Sequence, residues 1–370
     1  MPSSILEYLD EYGDISFGDR PFGDADSLVL SQLSYLKYDD FVRDDKEIRL
    51  RDIKPDKATG NIFGEHIYGE HIYGKLNREL FDRLIKSRRY EDLKISHYVN
   101  IIDKEAETQF SAVTFLVPGI DPFVAYRGTD ENMVGWKEDF NLTYMTQIPA
   151  HRLAIGYLTD AASMIDGKFR VGGHSKGGHL SIYAAMHATE DIQDRLTKIY
   201  CLDGPGFMKE MLRLDGYERI RDRIVKYLPQ SSLVGMLQQR DDNYTVIKSI
   251  GVGLLQHNLY TWRVEKGELV PEGELKEVAK IRDDAINDWI ESLPPESRQK
   301  FVDSLYEIIS GCEADTVAEF MDRFMENSKQ IISSYKDTDA DTSDMLRRIS
   351  RKLIDCAKVH FMNELENILS

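Results

Sequence analysis

The chain has 370 residues, 42% of them hydrophobic, which is enough for one large globular domain with an appendage or for two domains. A formal net charge of -17 argues against nucleic acid or an anionic lipid surface as the main partner. The three cysteines lie far apart without Cys-x-x-Cys spacing, which favours a reducing compartment over a disulfide framework or a zinc ribbon. The N-terminus lacks a signal-peptide pattern and no apolar run reaches 18 residues, so we predict a soluble cytoplasmic protein without stable membrane insertion.

The first ninety residues have a helical and loop-like pattern. Residues 24–38 begin with Asp and Ser and carry leucines at helical spacing, whereas the charged stretch 43–57 is typical of a loop. The segment 64–68 (GEHIY) is repeated at once as 69–73. A five-residue offset places the two histidines on different faces of a helix or a strand, so they are poorly placed to share a metal ion. We interpret the repeat as a short tandem duplication in a loop.

From residue 93 the pattern changes to strands that alternate with helices. We predict strands over 93–102, 110–117, 122–126, 169–172, 198–202, 224–227 and 244–249, with helices over 152–165 and 178–189. This alternation predicts an α/β fold in which a largely parallel central sheet is covered by helices on both faces.

After residue 264 the chain becomes highly charged and helical in pattern. The predicted helices run over 272–293, 296–310, 315–335 and 342–369. We therefore divide the chain into a domain over residues 1–265 and a C-terminal helical appendage over 266–370. The appendage could pack on the core, or on a second subunit in a homo-oligomer.

A candidate nucleophile lies in Gly173-His174-Ser175-Lys176-Gly177, between the apolar strand 169–172 and the Ala-rich helix 178–189. A Gly-x-Ser-x-Gly elbow exposes its serine on a tight strand-to-helix turn, and small flanking residues let the strand and helix approach each other. Because the motif and its context agree, we predict that Ser175 is the nucleophile of a serine hydrolase with an α/β-hydrolase core.

The general base should be a histidine downstream of the serine. His179 and His187 lie in the helix that follows Ser175, and His360 lies in the terminal charged helix. His257 follows the last predicted strand, where a loop can carry it over the sheet edge. We predict His257 as the base and expect His174 to pack or hydrogen-bond within the elbow.

The acid that orients this histidine should follow a strand at its carboxyl end. Asp203 ends the strand 198–202 and precedes a Gly-Pro-Gly turn. Asp241 and Asp242 are rivals between later strands, although a solvated hairpin turn explains that pair better than a catalytic role. We favour Asp203.

The oxyanion that forms during acyl transfer needs two backbone N–H donors. One belongs to Lys176, directly after the nucleophile. The other comes from the loop after an early strand, where Thr129 could offer its N–H and its hydroxyl. No cofactor is needed, and no phosphate loop, dinucleotide fingerprint or metal-ligand cluster is present in the sequence.

These residues resemble the class 3 (fungal-type) lipase branch of the α/β hydrolases. That branch carries an Arg-Gly-Thr/Ser oxyanion segment, then a Trp and an Asp, then Gly-His-Ser-x-Gly-Gly. Residues 127–129, Trp136, Asp139 and residues 173–178 match in this order. The resemblance implies a lipase-like fold and a hydrolytic activity.

The chain resembles more closely a poorly characterised bacterial family of lipase-like cytoplasmic proteins, sometimes linked with bile resistance. The segments that carry this resemblance are 24–38, 203–207, 228–235 and Gln256-His257 before Trp262, within residues 15–265.

Two positions depart from the class 3 pattern. Class 3 lipases usually place their acid after the penultimate strand, where residues 229–232 (PQSS) hold no carboxylate. Either the acid has moved to Asp203, as in pancreatic-type lipases, or only a Ser-His pair remains. Lys176 replaces the common Leu after the nucleophile, and its charge could favour an acidic or phosphate-bearing substrate.

We therefore predict hydrolysis of a carboxylic ester, such as a lipid or lysolipid, through an acyl-enzyme on Ser175. An amide or thioester is the alternative substrate, since the same triad serves acyl transfer generally. A binding or scaffold protein that has lost part of the triad is the non-catalytic alternative. The sequence specifies neither the acyl chain, nor a lid, nor the oligomeric state.

Overall fold

The centre of the fold is a single sheet with helices on both faces. The structure, a computed structural model, describes residues 4–42, 46–55, 62–63, 72–130, 133–142, 145, 147–232, 234–238, 243–251 and 253–275. Within these ranges the strands of the sheet are β1 (Ile48–Arg49), β2 (Lys94–Asp103), β3 (Thr108–Leu116), β4 (Phe123–Tyr126), β5 (Phe169–His174), β6 (Leu196–Leu202), β7 (Ile224–Pro229) and β8 (Thr245–Ile247). Their spatial order equals their chain order.

The pairing changes from antiparallel to parallel in the middle of the sheet. The pairs from β1 to β4 are antiparallel, and the pairs from β4 to β8 are parallel. The carboxyl ends of β4, β5, β6, β7 and β8 consequently lie at one edge. Loops that follow these strands meet there, which is where α/β sheets carry their ligands.

Helices separate the strands and cover the sheet. They are α1 (Ile5–Tyr12), α2 (Asp24–Leu33), α3 (Ile72–Leu84), α4 (Met133–Asn141), α5 (Pro149–Met164), α6 (Lys176–His187), α7 (Glu190–Arg195) and α8 (Asp215–Ile220). No helix in the described ranges is long and apolar enough to cross a membrane.

Two apolar clusters fill the space between helices and sheet. Along β4, Phe123 and Ala125 join the cluster beneath α1, α2 and α3, whereas Val124 and Tyr126 join the cluster beneath α5 and α6. Side chains alternate between the faces of a strand, so a strand buried on both faces is apolar throughout. The predicted α/β architecture, with a mostly parallel sheet covered on both faces, is confirmed.

The strands were predicted more accurately than the helices. Each predicted strand has its counterpart in β2 to β8. The helix predicted over 24–38 ends earlier, at Leu33. Beyond it the Tyr38 hydroxyl donates to the Leu33 carbonyl at 2.9 Å, and Lys37 N–H donates to the Ile62 carbonyl at 3.0 Å. The stretch 43–57, predicted as a loop, contributes the edge strand β1.

The chain remains packed on the core beyond the predicted domain boundary. β9 (Val264–Glu265) and β10 (Glu268–Leu269) form a hairpin, and Glu272 N–H then donates to the Val246 carbonyl of β8 at 2.9 Å. The division at residue 265 falls inside this hairpin. Of the appendage, residues 276–370 lie outside the described residues, as does the repeated segment over 64–71.

A buried ion pair fastens the N-terminal helices to the rest of the core. Both side chains of the pair Arg89–Asp26 are 0% exposed, and Nη2 lies 2.6 Å from Oδ2. Asp26 also accepts the hydroxyls of Tyr8 and Tyr90, and Arg89 donates its remaining N–H groups to backbone carbonyls between residues 15 and 21. Because both charges are hydrogen-bonded, losing either partner leaves the other buried and uncompensated.

We expect Arg89→Met to lower the free energy of unfolding by about 3–5 kcal/mol, since it leaves the Asp26 charge buried without a partner. Urea unfolding followed by circular dichroism measures this. Arg51→Met is the control, because Arg51 pairs with Asp92 at an exposed site and should cost about 1 kcal/mol at most. Equal losses in the two variants would contradict the anchoring role of the buried pair.

Candidate active site

Ser175 lies on a sharp turn between β5 and α6. Its backbone has φ 57° and ψ -131°, a left-handed conformation that non-glycine residues seldom adopt. The turn is held by the Ser175 N–H, which donates to the Leu202 carbonyl of β6 at 2.9 Å. The strand-turn-helix context that the sequence predicts for Ser175 is present in the structure.

The glycines on either side of Ser175 allow α6 to approach the sheet. A Cβ atom added at Gly173 or at Gly177 would overlap the carbonyl oxygen of Tyr126 at the end of β4. A Cβ at Gly178 would lie 2.9 Å from the Gly173 carbonyl. No side chain separates the start of α6 from the strands, and this close approach sets the position of Ser175 at the end of β5.

The structure brings the predicted acid and base together across 54 residues of sequence. His257 Nδ1 lies 2.6 Å from Asp203 Oδ2. The Asp203 side chain is 1% exposed, and the His257 side chain is 26% exposed. A carboxylate accepts the Nδ1–H, so this contact selects the tautomer of His257 whose Nε2 is unprotonated and able to act as a base.

Asp203 is held by the neighbouring strand as well as by its own. It follows β6 with φ 52°, and its N–H donates to the Tyr227 carbonyl of β7 at 2.9 Å. Its second oxygen, Oδ1, accepts the hydroxyl of Ser232 from the loop after β7. The sequence departs from the class 3 pattern in that loop, which holds no carboxylate over residues 229–232, and the loop supplies a hydroxyl donor to Asp203 instead.

His257 ends a short 3-10 helix over Gly253–His257. The neighbouring Gln256 fastens this segment, since its side chain accepts Ser231 N–H at 2.8 Å and donates to the Gly251 carbonyl at 3.0 Å. The buried Trp262 donates its indole N–H to the Gln256 backbone carbonyl at 2.8 Å. These bonds fix the position of the histidine over the sheet edge.

The other histidines considered for the base are engaged elsewhere. His179 contacts His151 between their Nε2 atoms at 2.9 Å, and burial lowers the pKa of His179 to about 4. His187 donates Nδ1–H to the Tyr183 carbonyl at 3.0 Å within α6. His360 and the rival acids Asp241 and Asp242 lie outside the described residues.

The loop after β4 lies against Ser175. A Cβ added at Gly128 would be 3.1 Å from Ser175 Cβ and 2.6 Å from the His174 carbonyl oxygen. The next residue, Thr129, donates its hydroxyl to Asp139 Oδ2 at 2.6 Å. A hydroxyl has one proton, so the Thr129 side chain cannot also donate to an oxyanion in this arrangement, and its backbone N–H is the candidate donor.

Lys176 is the first residue of α6, so its backbone N–H has no partner within the helix. Its side chain, however, points into the interior and is 1% exposed. Nζ donates to Gln109 O at 2.9 Å, to Gln109 Oε1 at 3.0 Å and to Glu138 Oε2 at 2.9 Å. The suggestion that the Lys176 charge favours an acidic or phosphate-bearing substrate is therefore wrong, because Glu138 neutralises that charge inside the protein.

Asp139 of α4 combines burial with an incomplete set of partners. Its Oδ1 is buried and has no hydrogen-bond partner among the described residues. Burial raises the pKa of Asp139 to about 6, although the Lys176 ammonium and the Thr129 hydroxyl act in the opposite direction. The carboxyl that accepts the Thr129 hydroxyl therefore gains a proton at a higher pH than an ordinary aspartate.

The sequence predicts that His174 packs or hydrogen-bonds within the elbow, but its ring also contacts two residues outside the elbow. Nδ1 lies 2.8 Å from the Tyr35 hydroxyl, and Nε2 lies 2.7 Å from the His257 carbonyl oxygen. Tyr35 and Ser232 were not singled out from the sequence at all. A histidine at the end of a buried strand requires partners for both ring nitrogens, and this requirement is the signal that a search for them could have used.

A mostly parallel sheet covered by helices, with a left-handed serine turn between β5 and α6, defines a lipase-like α/β-hydrolase fold. A family model described as Mbeg1-like matches residues 84–307, which is more than half of the chain. The chain belongs to this Mbeg1-like family.

Comparisons with individual proteins are less informative about this chain than the family model is. No curated protein matches the chain. Among solved structures, one described as "Crystal structure of M37 lipase" is similar at 12% sequence identity, covering 59% of this chain and 69% of that chain with a TM-score of 0.36.

We expect the Asp139→Asn substitution to change how stability depends on pH. A carboxyl whose pKa is raised by folding favours the folded state at low pH. This contribution is full below the ordinary pKa of 3.8 and is lost as pH rises through about 6. The unfolding free energy of the native protein should therefore fall, relative to that of the variant, between pH 4 and pH 7.

Urea unfolding at several pH values measures this difference. Asp19→Asn, at an exposed position of the N-terminal segment, controls for the loss of one negative charge at the surface. A difference between the native protein and Asp139→Asn that stays constant over this pH range would count against a raised pKa at Asp139.

Proposed function

We propose that the protein is a serine hydrolase that cleaves a carboxylic ester with a lipophilic acyl group through an acyl-enzyme on Ser175. The observation that carries the proposal is the 2.6 Å hydrogen bond between His257 Nδ1 and Asp203 Oδ2. It lies at the carboxyl-end edge of the sheet, the edge at which β5 delivers Ser175. An oriented histidine and an elbow serine at one edge are the components that acyl transfer requires.

In the first half of the reaction, Nε2 of His257 takes the hydroxyl proton of Ser175 while Oγ bonds to the ester carbonyl carbon. The carbonyl oxygen becomes an oxyanion, which the backbone N–H groups of Thr129 and Lys176 stabilise. Asp203 keeps the proton on Nδ1 and stabilises the imidazolium. Collapse of the tetrahedral intermediate breaks the ester C–O bond, and the imidazolium Nε2–H gives its proton to the departing alcohol.

The second half reverses the roles with water as the nucleophile. His257 takes a proton from water, whose oxygen attacks the acyl carbonyl carbon. The acid leaves, and Ser175 Oγ recovers its proton from the imidazolium. No cofactor takes part in these steps.

Two features support an apolar acyl group over a charged one. Ile250 is 52% exposed and Leu255 is 40% exposed, and both lie on the segment that leads to His257. The cation nearest to Ser175 in sequence, that of Lys176, is buried against Glu138. An exposed apolar surface beside the base fits a hydrocarbon chain.

We expect a fluorophosphonate probe to label the folded protein and Ser175→Ala to abolish the labelling. The Oγ of an activated serine bonds to the phosphorus of the probe and displaces fluoride, so loss of this phosphonyl adduct in the variant identifies the nucleophile. In-gel fluorescence and intact-protein mass spectrometry measure the adduct. Ser181→Ala, at a buried serine of α6 that hydrogen-bonds to backbone carbonyls, is the matched control and should label like the native protein.

Failure of the folded native protein to label would overturn the proposal and favour a non-catalytic binding protein. If labelling succeeds, esters of graded acyl length are compared with an amide and a thioester of the same acyl group. Faster turnover of the amide or thioester would replace the ester assignment while leaving the nucleophile in place.

We expect Asp203→Asn to lower kcat by about 10³-fold or more, because an amide cannot hold the same tautomer and stabilise the imidazolium. Ser232→Ala should lower kcat by about 10-fold, since it removes one hydrogen bond that orients the acid. Steady-state ester hydrolysis measures both. Asp121→Asn, before β4 at the opposite edge of the sheet, is the control and should leave kcat unchanged.

If Asp203→Asn retains native kcat, His257 is oriented by another group. The assignment of Asp203 as the triad acid would then be withdrawn.

A further inference from the structure

A second series of hydrogen bonds reaches His257 at its backbone carbonyl, whereas Asp203 contacts its ring. This series begins at Tyr35, two residues after the end of α2, and passes through the ring of His174 to the backbone of the base. His174 directly precedes Ser175, so its ring connects the two residues that exchange a proton in the proposed reaction.

The direction of every bond in this chain follows from the chemistry of its atoms. The His257 carbonyl can only accept, so His174 Nε2 carries a proton and donates across 2.7 Å. Burial, together with the nearby His257, holds the pKa of His174 well below its ordinary value, so the ring is neutral. Nδ1 is then unprotonated and accepts the Tyr35 hydroxyl across 2.8 Å.

The same hydroxyl also contacts the oxyanion loop, the segment 127–130 that carries the proposed oxyanion donor Thr129. The Tyr35 hydroxyl lies directly against Gly128, since a Cβ added at Gly128 would overlap the Tyr35 oxygen. At one end of this series of hydrogen bonds, Tyr35 contacts the loop that carries Thr129. At the other end, His174 donates to the backbone of His257. The rings of His174 and His257 also lie against each other, with centroids 4.4 Å apart.

We propose that Tyr35 and His174 form a strut that positions His257 relative to Ser175 and to the oxyanion loop. Neither residue exchanges a proton with substrate; each is a positioning residue. Displacing a catalytic group by about 1 Å can lower the rate by about 100-fold. A neutral His174 also avoids a second cation beside His257 when its ring becomes an imidazolium. The proposal rests on the function proposed above.

The test measures kcat and KM for ester hydrolysis, together with the rate of fluorophosphonate labelling. Tyr35→Phe should lower kcat by about 10-fold with KM unchanged, because the substrate does not contact the strut. Tyr38→Phe is the matched control: its buried hydroxyl, three residues further on, bonds only to the Leu33 carbonyl in the described structure. It should leave kcat unchanged.

Variants of His174 separate positioning from packing. His174→Leu should lower kcat by about 100-fold, whereas His174→Gln should recover much of the loss, since its amide can accept from Tyr35 and donate to His257. The double variant Tyr35→Phe/His174→Leu should be no slower than His174→Leu alone, because either change breaks the same chain. If the fold losses in kcat of the two single variants multiply in the double variant, the two residues act independently, and the strut would be overturned.

The tautomer of His174 provides a readout that does not depend on catalysis. In protein with ¹⁵N-labelled histidine, NMR should show His174 protonated on Nε2 alone across neutral pH, and Tyr35→Phe should alter the Nδ1 shift. A proton on Nδ1 of the native protein would refute the strut even if Ser175 is active. If Ser175 never labels but the tautomer is as expected, the proposed function fails and the strut stands as a structural link.

Discussion

The close packing of α6 on the ends of β4 and β5 governs the geometry of the whole site. Gly177 meets the Tyr126 carbonyl with no room for a Cβ, and Tyr126 is three residues before Thr129. A helix that starts this close to β4 brings Ser175 close to the loop that carries Thr129. A side chain at position 177 would force α6 away from β4 and increase the distance between Ser175 and Thr129.

Close packing removes water, and the polar groups behind the site must then satisfy one another. Lys176 is at the centre of this arrangement, because it provides a backbone N–H at the site and an ammonium group in the interior. Glu138 compensates the charge of Lys176 with Oε2 and accepts Ala150 N–H with Oε1 at 3.0 Å, which ties α4 to the start of α5. The Lys176 side chain therefore stabilises the interior, and its buried charge cannot contact a substrate at Ser175.

The sequence predicted those features that depend on local pattern. The strands β2 to β8 are short apolar runs between turn residues, and the elbow at Ser175 is a contiguous motif, so both could be recognised. His257 and Asp203 were chosen by chain order, and the structure brings their side chains together because loops after successive parallel strands meet at one edge. The side-chain partners could not be identified in this way: Tyr35 is 139 residues from His174, and Lys176 is 38 residues from Glu138. The burial of the Lys176 side chain in the protein interior is a tertiary feature that residue type and spacing do not reveal.

The geometry of the sheet explains how the predicted acid, Asp203 after β6, reaches a histidine carried over the sheet edge. β6 and β7 are adjacent parallel strands, so the loops after them begin within about 5 Å of each other at the same edge. A carboxylate on either loop can reach Nδ1 of a histidine carried over that edge. With Asp203 after β6, the loop after β7 contributes Ser232, and the second carboxylate oxygen remains hydrogen-bonded in the dry interior. The orientation of His257 therefore depends on a pair of neighbouring loops, one supplying the carboxylate and the other the hydroxyl.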